Sequence, residues 1–194
     1  GPGKIREFAE KHMPSSTDDW HVLDFQPLVY DFGDVDMRGT WGESFERVEK
    51  EAYKMMGYGK FNVFLGGDHS VTIPIQKAFA RKNVGKKIGI LFFDAAPELC
   101  DCYDGKIWSH SNVAKRAIDD VVEPEDIMFV GIRAAEAEEV ELMKRKKEMK
   151  VISGTDIFYK GFAETCKMIY DKFKDYDSVY LTVDIGVLDP AFAP

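Results

Sequence analysis

The feature that most constrains the fold is the alternation of short apolar runs with longer stretches of helical periodicity. Runs of strand length occupy residues 61–65, 88–93, 127–130 and 178–183, with a weaker one at 150–152. Residues 22–35 predict one more strand, although Pro27 weakens that prediction. The runs are almost continuously apolar, which is typical of strands buried on both faces. Strands that alternate with helices predict a three-layer α/β/α fold with a mainly parallel sheet.

The helices between these runs are marked by apolar residues three or four positions apart. One series spans residues 45–56 and stops before Gly57, a residue that favours a helix end. A second series spans residues 162–173. The segment 134–150 starts with acidic residues and ends with basic ones, an order that complements the helix dipole and indicates a solvent-exposed helix.

Composition limits the class of protein. With 194 residues, of which 45% are apolar, the chain can bury the core of a single domain. Acidic residues outnumber basic ones by 34 to 26, so the net charge is negative. A protein that binds nucleic acid usually carries a positive charge, so this balance argues against such a partner. No apolar run reaches the roughly 20 residues that a membrane helix needs. Three cysteines form no disulfide framework, so we expect a cytoplasmic protein without nucleic-acid or membrane partners.

Metal-ligating side chains follow three of the predicted strands. His69 comes soon after the first run, Asp94 and Glu98 follow the second, and Asp184 follows the last. In open parallel sheets, ligands bind beyond the carboxyl ends of the strands. Singly, such residues are most often caps or turn residues, but their coincidence at one edge favours a site for a divalent ion such as Mn(II).

Motifs for other chemistries are missing from the sequence. Gly66-Gly67 has neither the spacing of a dinucleotide-binding loop nor the ending of a P-loop, and no G-x-S-x-G elbow indicates a serine hydrolase. Cys100 and Cys102 are one residue too close for a redox or zinc C-x-x-C pair. We interpret both cysteines as incidental loop residues.

Five motifs follow one another along the chain. They are Gly66-Gly67-Asp68-His69-Ser70, Phe93-Asp94-Ala95-Ala96-Pro97-Glu98-Leu99, Ser109-His110, Gly131-Ile132-Arg133 and Thr182-Val183-Asp184-Ile185-Gly186-Val187-Leu188-Asp189-Pro190. Together they resemble the ureohydrolase family of arginases and agmatinases. Their order and spacing match along essentially the whole chain, and Ser109-His110 is more similar to agmatinases than to arginases.

This resemblance implies a chemistry and a site. Family members hydrolyse the guanidinium carbon of linear guanidino compounds such as agmatine, with two Mn(II) ions sharing a hydroxide, and they form trimers or hexamers. By resemblance, the first ion takes His69, Asp94, Glu98 and Asp184, and the second would share Asp94 and Asp184. His110 stands where the family has a histidine that moves protons or positions substrate, so His110 and Asp94 are the implied catalytic residues.

The chain departs from the family pattern at three positions. Ala96 and Gly186 stand where the family has the two private ligands of the second ion, and Glu98 replaces an aspartate of the first. We therefore expect one Mn(II) rather than two and weakened turnover. The alternative is a catalytically silent family member that acts as a structural or regulatory subunit.

The resemblance also bears on the extent of the domain. It implies a single ureohydrolase-like domain over residues 1–194. Family members have a strand before this region and a further segment after it, so we expect the domain to be incomplete at both ends.

Overall fold

A computed structural model describes residues 1–12, 15–16, 22–23 and 29–193. None of the described helices is both long enough and apolar enough to cross a membrane. In chain order, the elements are α1 (Pro2–His12), β1 (Ser15–Ser16), β2 (Val22–Leu23), α2 (Trp41–Met56), α3 (Thr72–Lys82), β3 (Ile88–Phe93), α4 (Val113–Asp120), β4 (Ile127–Ile132), α5 (Ala137–Arg145), β5 (Lys150–Ser153), α6 (Gly154–Phe173) and β6 (Ser178–Val183).

A four-stranded parallel sheet organises the fold. Its strands lie in the order β5-β4-β3-β6, and each neighbouring pair is parallel. The chain passes from β3 to β4 to β5 in one direction, then returns through α6 to place β6 on the other side of β3. Right-handed crossovers therefore put α4 and α5 on one face and α6 on the other, and the switch point lies between β3 and β6.

The core consists of layers on both faces of this sheet. Ile90 and Phe92 of β3 pack in a cluster with Val113 of α4, whereas Leu91 packs on the opposite face with Phe173 of α6. Burial of such side chains contributes roughly 1.5–3 kcal/mol each. The predicted three-layer α/β/α architecture with a parallel sheet is confirmed.

Local capping explains where the helices begin and end. Thr40 accepts a hydrogen bond from the backbone N–H of Glu43 and donates its own backbone N–H to the Glu43 carboxylate, a capping box that starts α2. The N–H of Gly57 closes the other end on the Lys54 carbonyl. The predicted helices over 45–56 and 162–173 are thus confirmed, and α5 forms within the segment 134–150.

The prediction that residues 61–65 form the first strand of the sheet is wrong. Residues 61–65 form no ladder with any described strand, and Phe61 and Val63 are 92% and 64% exposed. Phe64 is the one apolar side chain of this run that is partly buried, and it packs against a cluster of α2 and α3 residues. An apolar run indicates strand propensity, but a ladder also needs a neighbour with free N–H and C=O groups beside it.

The predicted strand over 22–35 is also largely wrong. Among the residues of this range that the structure describes, 22–23 and 29–35, only β2 is a strand, and it pairs antiparallel with β1 instead of joining the main sheet. Residues 29–35 are described and are not in a strand. Pro27, which weakened this prediction, lies outside the described residues.

The strand β6 is an edge of the described sheet. It pairs with β3 along its whole length, Ser178 to Ile88 through Val183 to Phe93. On the face that carries α6, its side chains Val179, Leu181 and Val183 are 37%, 52% and 61% exposed. Among the described strands, β6, which precedes Asp184, therefore pairs with β3 alone, and only one of its two faces is buried.

A bulge in β4 brings two loops together at the carboxyl edge. Gly131, at the register shift of β4, has a φ of +99°, and a Cβ there would lie 2.7 Å from Val187 Cγ2 and 3.0 Å from the Asp94 carbonyl oxygen. Only glycine fits both the backbone conformation and the space.

We expect Gly131→Ala to lower the free energy of unfolding by about 2–4 kcal/mol, because backbone strain adds to steric overlap. The matched control is Gly105→Ala, at a φ of +72° with no atom within 4 Å of the added Cβ. That variant should lose only about 1 kcal/mol, from strain alone. Urea unfolding of both variants measures the difference, and equal losses would contradict the packing argument.

Candidate metal centre

Three side chains converge at the switch point of the sheet. Each of His69, Asp94 and Asp184 offers one ligand atom, and these three atoms lie within 4.8 Å of one another. His69 Nδ1 is 3.1 Å from Asp94 Oδ2 and 3.5 Å from Asp184 Oδ2. The side chains of His69 and Asp94 are 7% and 5% exposed and that of Asp184 is 30% exposed, so two of the three groups are withdrawn from water and the third faces it in part.

Each of these residues is positioned by the end of an element. Asp94 follows β3 and Asp184 follows β6, and the N–H of Asp184 donates to the carbonyl of Phe93, which continues the ladder to the site. His69 opens a short 3-10 helix, His69–Val71, that the Asp68 side chain caps by accepting from Ser70 N–H. The parallel register therefore brings the two aspartates side by side.

Both aspartates use one carboxylate oxygen to bind their own loops. Asp94 Oδ1 accepts from the N–H groups of Ala95 and Ala96, at 2.6 Å and 3.2 Å. Asp184 Oδ1 accepts from the N–H of Gly186 at 2.7 Å. The second oxygen of each carboxylate is thereby oriented towards His69.

The facing atoms lack partners. His69 Nδ1 and Asp94 Oδ2 are buried without a hydrogen bond among the described residues, although they are close together. Leaving buried polar atoms unpaired costs about 1–3 kcal/mol each. One imidazole nitrogen and two carboxylate oxygens form a donor set that suits a hard or borderline divalent cation. The residues present therefore fit a metal ion.

Glu98 lies near this group without joining it. Its side chain is half-buried, and its backbone has a φ of +52°. Burial, followed by the charges of Asp94, Glu139 and Asp184, raises the pKa of Glu98 to about 8. Of the four predicted ligands, the structure thus brings three together and places the fourth within their electrostatic influence.

His110 is exposed, in a segment that lies next to the segment that carries His69. It begins the 3-10 helix His110–Asn112, and its ring contacts the Tyr103 ring at a centroid distance of 5.1 Å. It is not part of the three-residue group. Its catalytic role stays a prediction.

An acidic cleft opens beside the site. It has a volume of about 590 Å³ and is lined by Ala96, Glu98, Tyr103, Glu136 and Glu138, among others. Its carboxylates make it attractive to cations. Ala96 is therefore on the cleft wall, at the position where the family pattern has a histidine.

Sequence reasoning missed residues that hold the site in place. The Arg133 guanidinium donates to the carbonyls of Gly186, Val187 and Leu188, at 2.6–3.1 Å, and so fixes the loop after β6. Thr182 contacts His69 Nε2 at 3.0 Å. Both residues belong to motifs that carry the family resemblance, which was the available signal, but nothing in those motifs predicted the contacts themselves.

Fold and site together define a class: an α/β protein with a parallel sheet and a candidate metal centre at its switch point. A family model of the arginase family matches residues 1–194. The chain belongs to the arginase family.

Individual relatives agree with this assignment. The chain is 32% identical to an agmatinase of Bacillus anthracis, and the match covers all of the chain and 63% of that protein. It is 30% identical to a guanidinobutyrase of Pseudomonas aeruginosa, and that match covers 86% of the chain and 52% of that protein. The crystal structure of agmatine ureohydrolase of Thermoplasma volcanium matches all of the chain and 62% of its own, with a TM-score of 0.83 and 27% identity. The chain thus spans less than two thirds of these relatives.

The raised pKa of Glu98 predicts a pH dependence of stability in the metal-free protein. Between pH 4.5 and about 8, folded Glu98 keeps a proton that the unfolded chain has lost. Unfolding then releases a proton, so the contribution of Glu98 to the free energy of unfolding falls as pH rises through this interval.

Urea unfolding with a chelator present, across that interval, measures the slope. Glu98→Gln should flatten the wild-type decline. The matched control is Glu141→Gln, because the Lys144 ammonium lowers the pKa of this exposed carboxyl, so the contribution of Glu141 to stability does not fall as pH rises. A wild-type slope retained in Glu98→Gln would contradict the assignment.

Proposed function

We propose that the protein is an agmatinase-like hydrolase that releases urea from linear guanidino compounds with one bound Mn(II) ion. The observation that carries this proposal is the convergence of His69 Nδ1, Asp94 Oδ2 and Asp184 Oδ2, two of them buried and unpartnered. Membership of the arginase family and the names of its relatives support the reaction class.

In this proposal, His69, Asp94 and Asp184 would hold the ion, and Glu98, once deprotonated, would add a fourth ligand. When bound, the ion would supply a Lewis acid that lowers the pKa of water and provides a nucleophile near neutral pH. The same carboxylates draw the planar guanidinium towards the site by their negative charge. Burial of His69 and Asp94 keeps these groups fixed while the reaction proceeds.

His110 is the proposed proton carrier. Its exposed imidazole belongs to a segment next to the one that carries His69, and in this proposal it takes a proton and delivers it to the leaving amine. The Tyr103 ring against it limits the orientations of the imidazole. This role requires substrate to pass between His110 and the three-residue group.

The substrate class follows from charge and shape. The cleft next to Glu98 is lined by Glu136 and Glu138 and suits a linear cation with a guanidinium at one end. A carboxylate at the far end of the substrate would meet these two glutamates. We therefore favour agmatine, which ends in an amine, over guanidinobutyrate or arginine.

The proposed count of one ion rests on Ala96 and Gly186. Neither side chain offers a ligand atom, and the Gly186 N–H instead donates to Asp184 Oδ1. A Cβ at Gly186 would lie 2.9 Å from that oxygen, and because the oxygen is at the end of a side chain, a small shift of the Asp184 carboxylate accommodates a side chain there. The homo-oligomer implied by the family stays part of the proposal.

We expect one Mn(II) per chain after loading and dialysis, and close to two in the double variant Ala96→His/Gly186→Asp. The added imidazole and carboxylate restore a second donor set. Metal analysis measures the count, and Ala96→His alone serves as the control because it adds one donor only. Two ions in the wild type would contradict the ligand assignment.

We expect slow urea release from agmatine with Mn(II), and more than about tenfold faster release from the double variant, since each 1.4 kcal/mol of barrier is tenfold in rate. Asp94→Asn should abolish release because it removes a buried ligand. The matched control Asp104→Asn changes an exposed loop aspartate and should leave the rate unchanged. Absence of urea from every guanidino substrate, with or without the double change, would favour the silent subunit.

A further inference from the structure

We propose that Glu139 is a positioning residue whose buried carboxylate fixes the peptide that joins Glu98 to Leu99. This contact keeps the Glu98 side chain beside the two aspartates of the metal centre. The inference rests on the proposed function, because Glu98 is the proposed fourth ligand of the ion. It assigns a role to a buried charged residue that lies outside the three-residue group.

The Glu139 carboxylate uses both of its oxygens to join two loops. The residue lies in the first turn of α5 and is 3% exposed. Its Oε1 accepts from the N–H of Leu99 at 2.7 Å, and its Oε2 accepts from the N–H of Glu136 at 2.8 Å. Only the second contact is needed to cap α5. The bond to Leu99 therefore goes beyond the capping that an acidic residue provides at this position.

The peptide that Glu139 holds follows a residue in an unusual conformation. Glu98 is half-buried and has a φ of +52°. Among the described residues, Asp104 is the other non-glycine residue with a positive φ, and it lies beside Gly105 in an exposed two-residue turn, where this conformation is common. A left-handed glutamate outside such a turn persists only where its surroundings fix it.

The other half of the same peptide is held by α4. The Glu98 carbonyl accepts from the N–H groups of Ala114 and Lys115, at 3.0 Å and 3.1 Å, in the first turn of that helix. The Leu99 side chain is 2% exposed and packs in the core beside α4. Because α4 holds the carbonyl and Glu139 holds the N–H, the planar peptide cannot rotate without losing one of these bonds.

The segment between β4 and α5 supports the loop after β3 at two points. The N–H groups of Arg133 and Ala134 donate to the Ala95 carbonyl, at 2.8 Å and 3.1 Å, near the start of the loop. Glu139 provides the second support, at Leu99. The loop is thus held both directly after Asp94 and directly after Glu98, and backbone groups make the first of these contacts whereas a side chain makes the second.

The fixed peptide directs the Glu98 carboxyl towards the metal centre. The charges of Asp94 and Asp184 act on this carboxyl, and the Ser111 side chain contacts it. A glutamate has one more rotatable bond than the aspartate of the family pattern, so it has more conformations to lose when it binds an ion. A backbone that is already fixed lowers that cost.

Amide hydrogen exchange and NMR of the metal-free protein test the contact directly, with Glu139→Asp as the variant. Asp156 caps α6 from the same helix position, so an aspartate keeps the charge and the cap of α5. Its shorter side chain does not reach Leu99. We expect the Leu99 amide to exchange more than about tenfold faster, because it loses its acceptor, and the backbone chemical shifts of Glu98 to leave the left-handed range.

The matched control for this measurement is Glu138→Asp. Glu138 is the preceding residue of α5, lines the same cleft and is exposed. The same shortening there should leave the Leu99 amide and the Glu98 shifts as in the wild type. Unchanged Leu99 exchange and unchanged Glu98 shifts in Glu139→Asp would overturn the proposal.

Calorimetric titration with Mn(II) shows whether Glu139 acts through Glu98. Glu139→Asp should weaken binding by about tenfold in the wild-type background. The same change should have no further effect in a Glu98→Ala background, because the group that it positions is gone. A merely structural role would weaken binding equally in both backgrounds, and that result, or full affinity in Glu139→Asp, would overturn the inference.

The two readouts separate this inference from the proposed function. If the wild type binds no Mn(II), the proposed function fails, and the Leu99 exchange rate with the Glu98 shifts decides for or against the positioning role. If Glu139→Asp does not fold, Glu139→Gln carries both measurements. Its amide has one acceptor oxygen instead of two, so either the Leu99 or the Glu136 amide should exchange faster, and retained protection of both would overturn the proposal.

Discussion

Three lone-pair-bearing atoms that face one another in a buried space are the constraint on which the rest of this structure depends. His69 Nδ1, Asp94 Oδ2 and Asp184 Oδ2 repel each other unless a cation or a proton lies between them. The surrounding structure keeps these atoms in place by hydrogen bonds to the other polar atom of each side chain. Backbone N–H groups donate to Oδ1 of both aspartates, and Thr182 contacts Nε2 of His69. The fold supplies the energy that holds the cluster together in the absence of an ion.

The reversal of strand order is what makes this convergence possible. Because the chain leaves β3 in one direction and returns through α6 on the other face, the loops after β3 and β6 diverge and leave room between them. Gly131 and Arg133, at the end of the neighbouring β4, then fix the spacing of those loops. Ordinary crossover geometry thus explains why the site lies at this edge.

Prediction from sequence succeeded where local pattern and buried neighbours agree. The runs that became β3, β4 and β6 are flanked by helices whose periodicity is clear, and the parallel sheet followed from their order. Residues 61–65 were predicted equally strongly but are unpaired among the described residues, because pairing depends on a neighbour that propensity does not specify. In the site, residue type and motif spacing indicated His69, Asp94 and Asp184. The offset of Glu98 depends on side-chain direction, which spacing does not encode.

The difference in burial between the two aspartates couples the site to local opening. The Asp94 side chain is 5% exposed and the Asp184 side chain is 30% exposed, so the loop after β6 should open at a lower free energy than the loop after β3. An ion bound to both aspartates would act as a cross-link between the more exposed and the more buried of these two loops, and metal uptake would be readable in the exchange rates of the amides that follow β6.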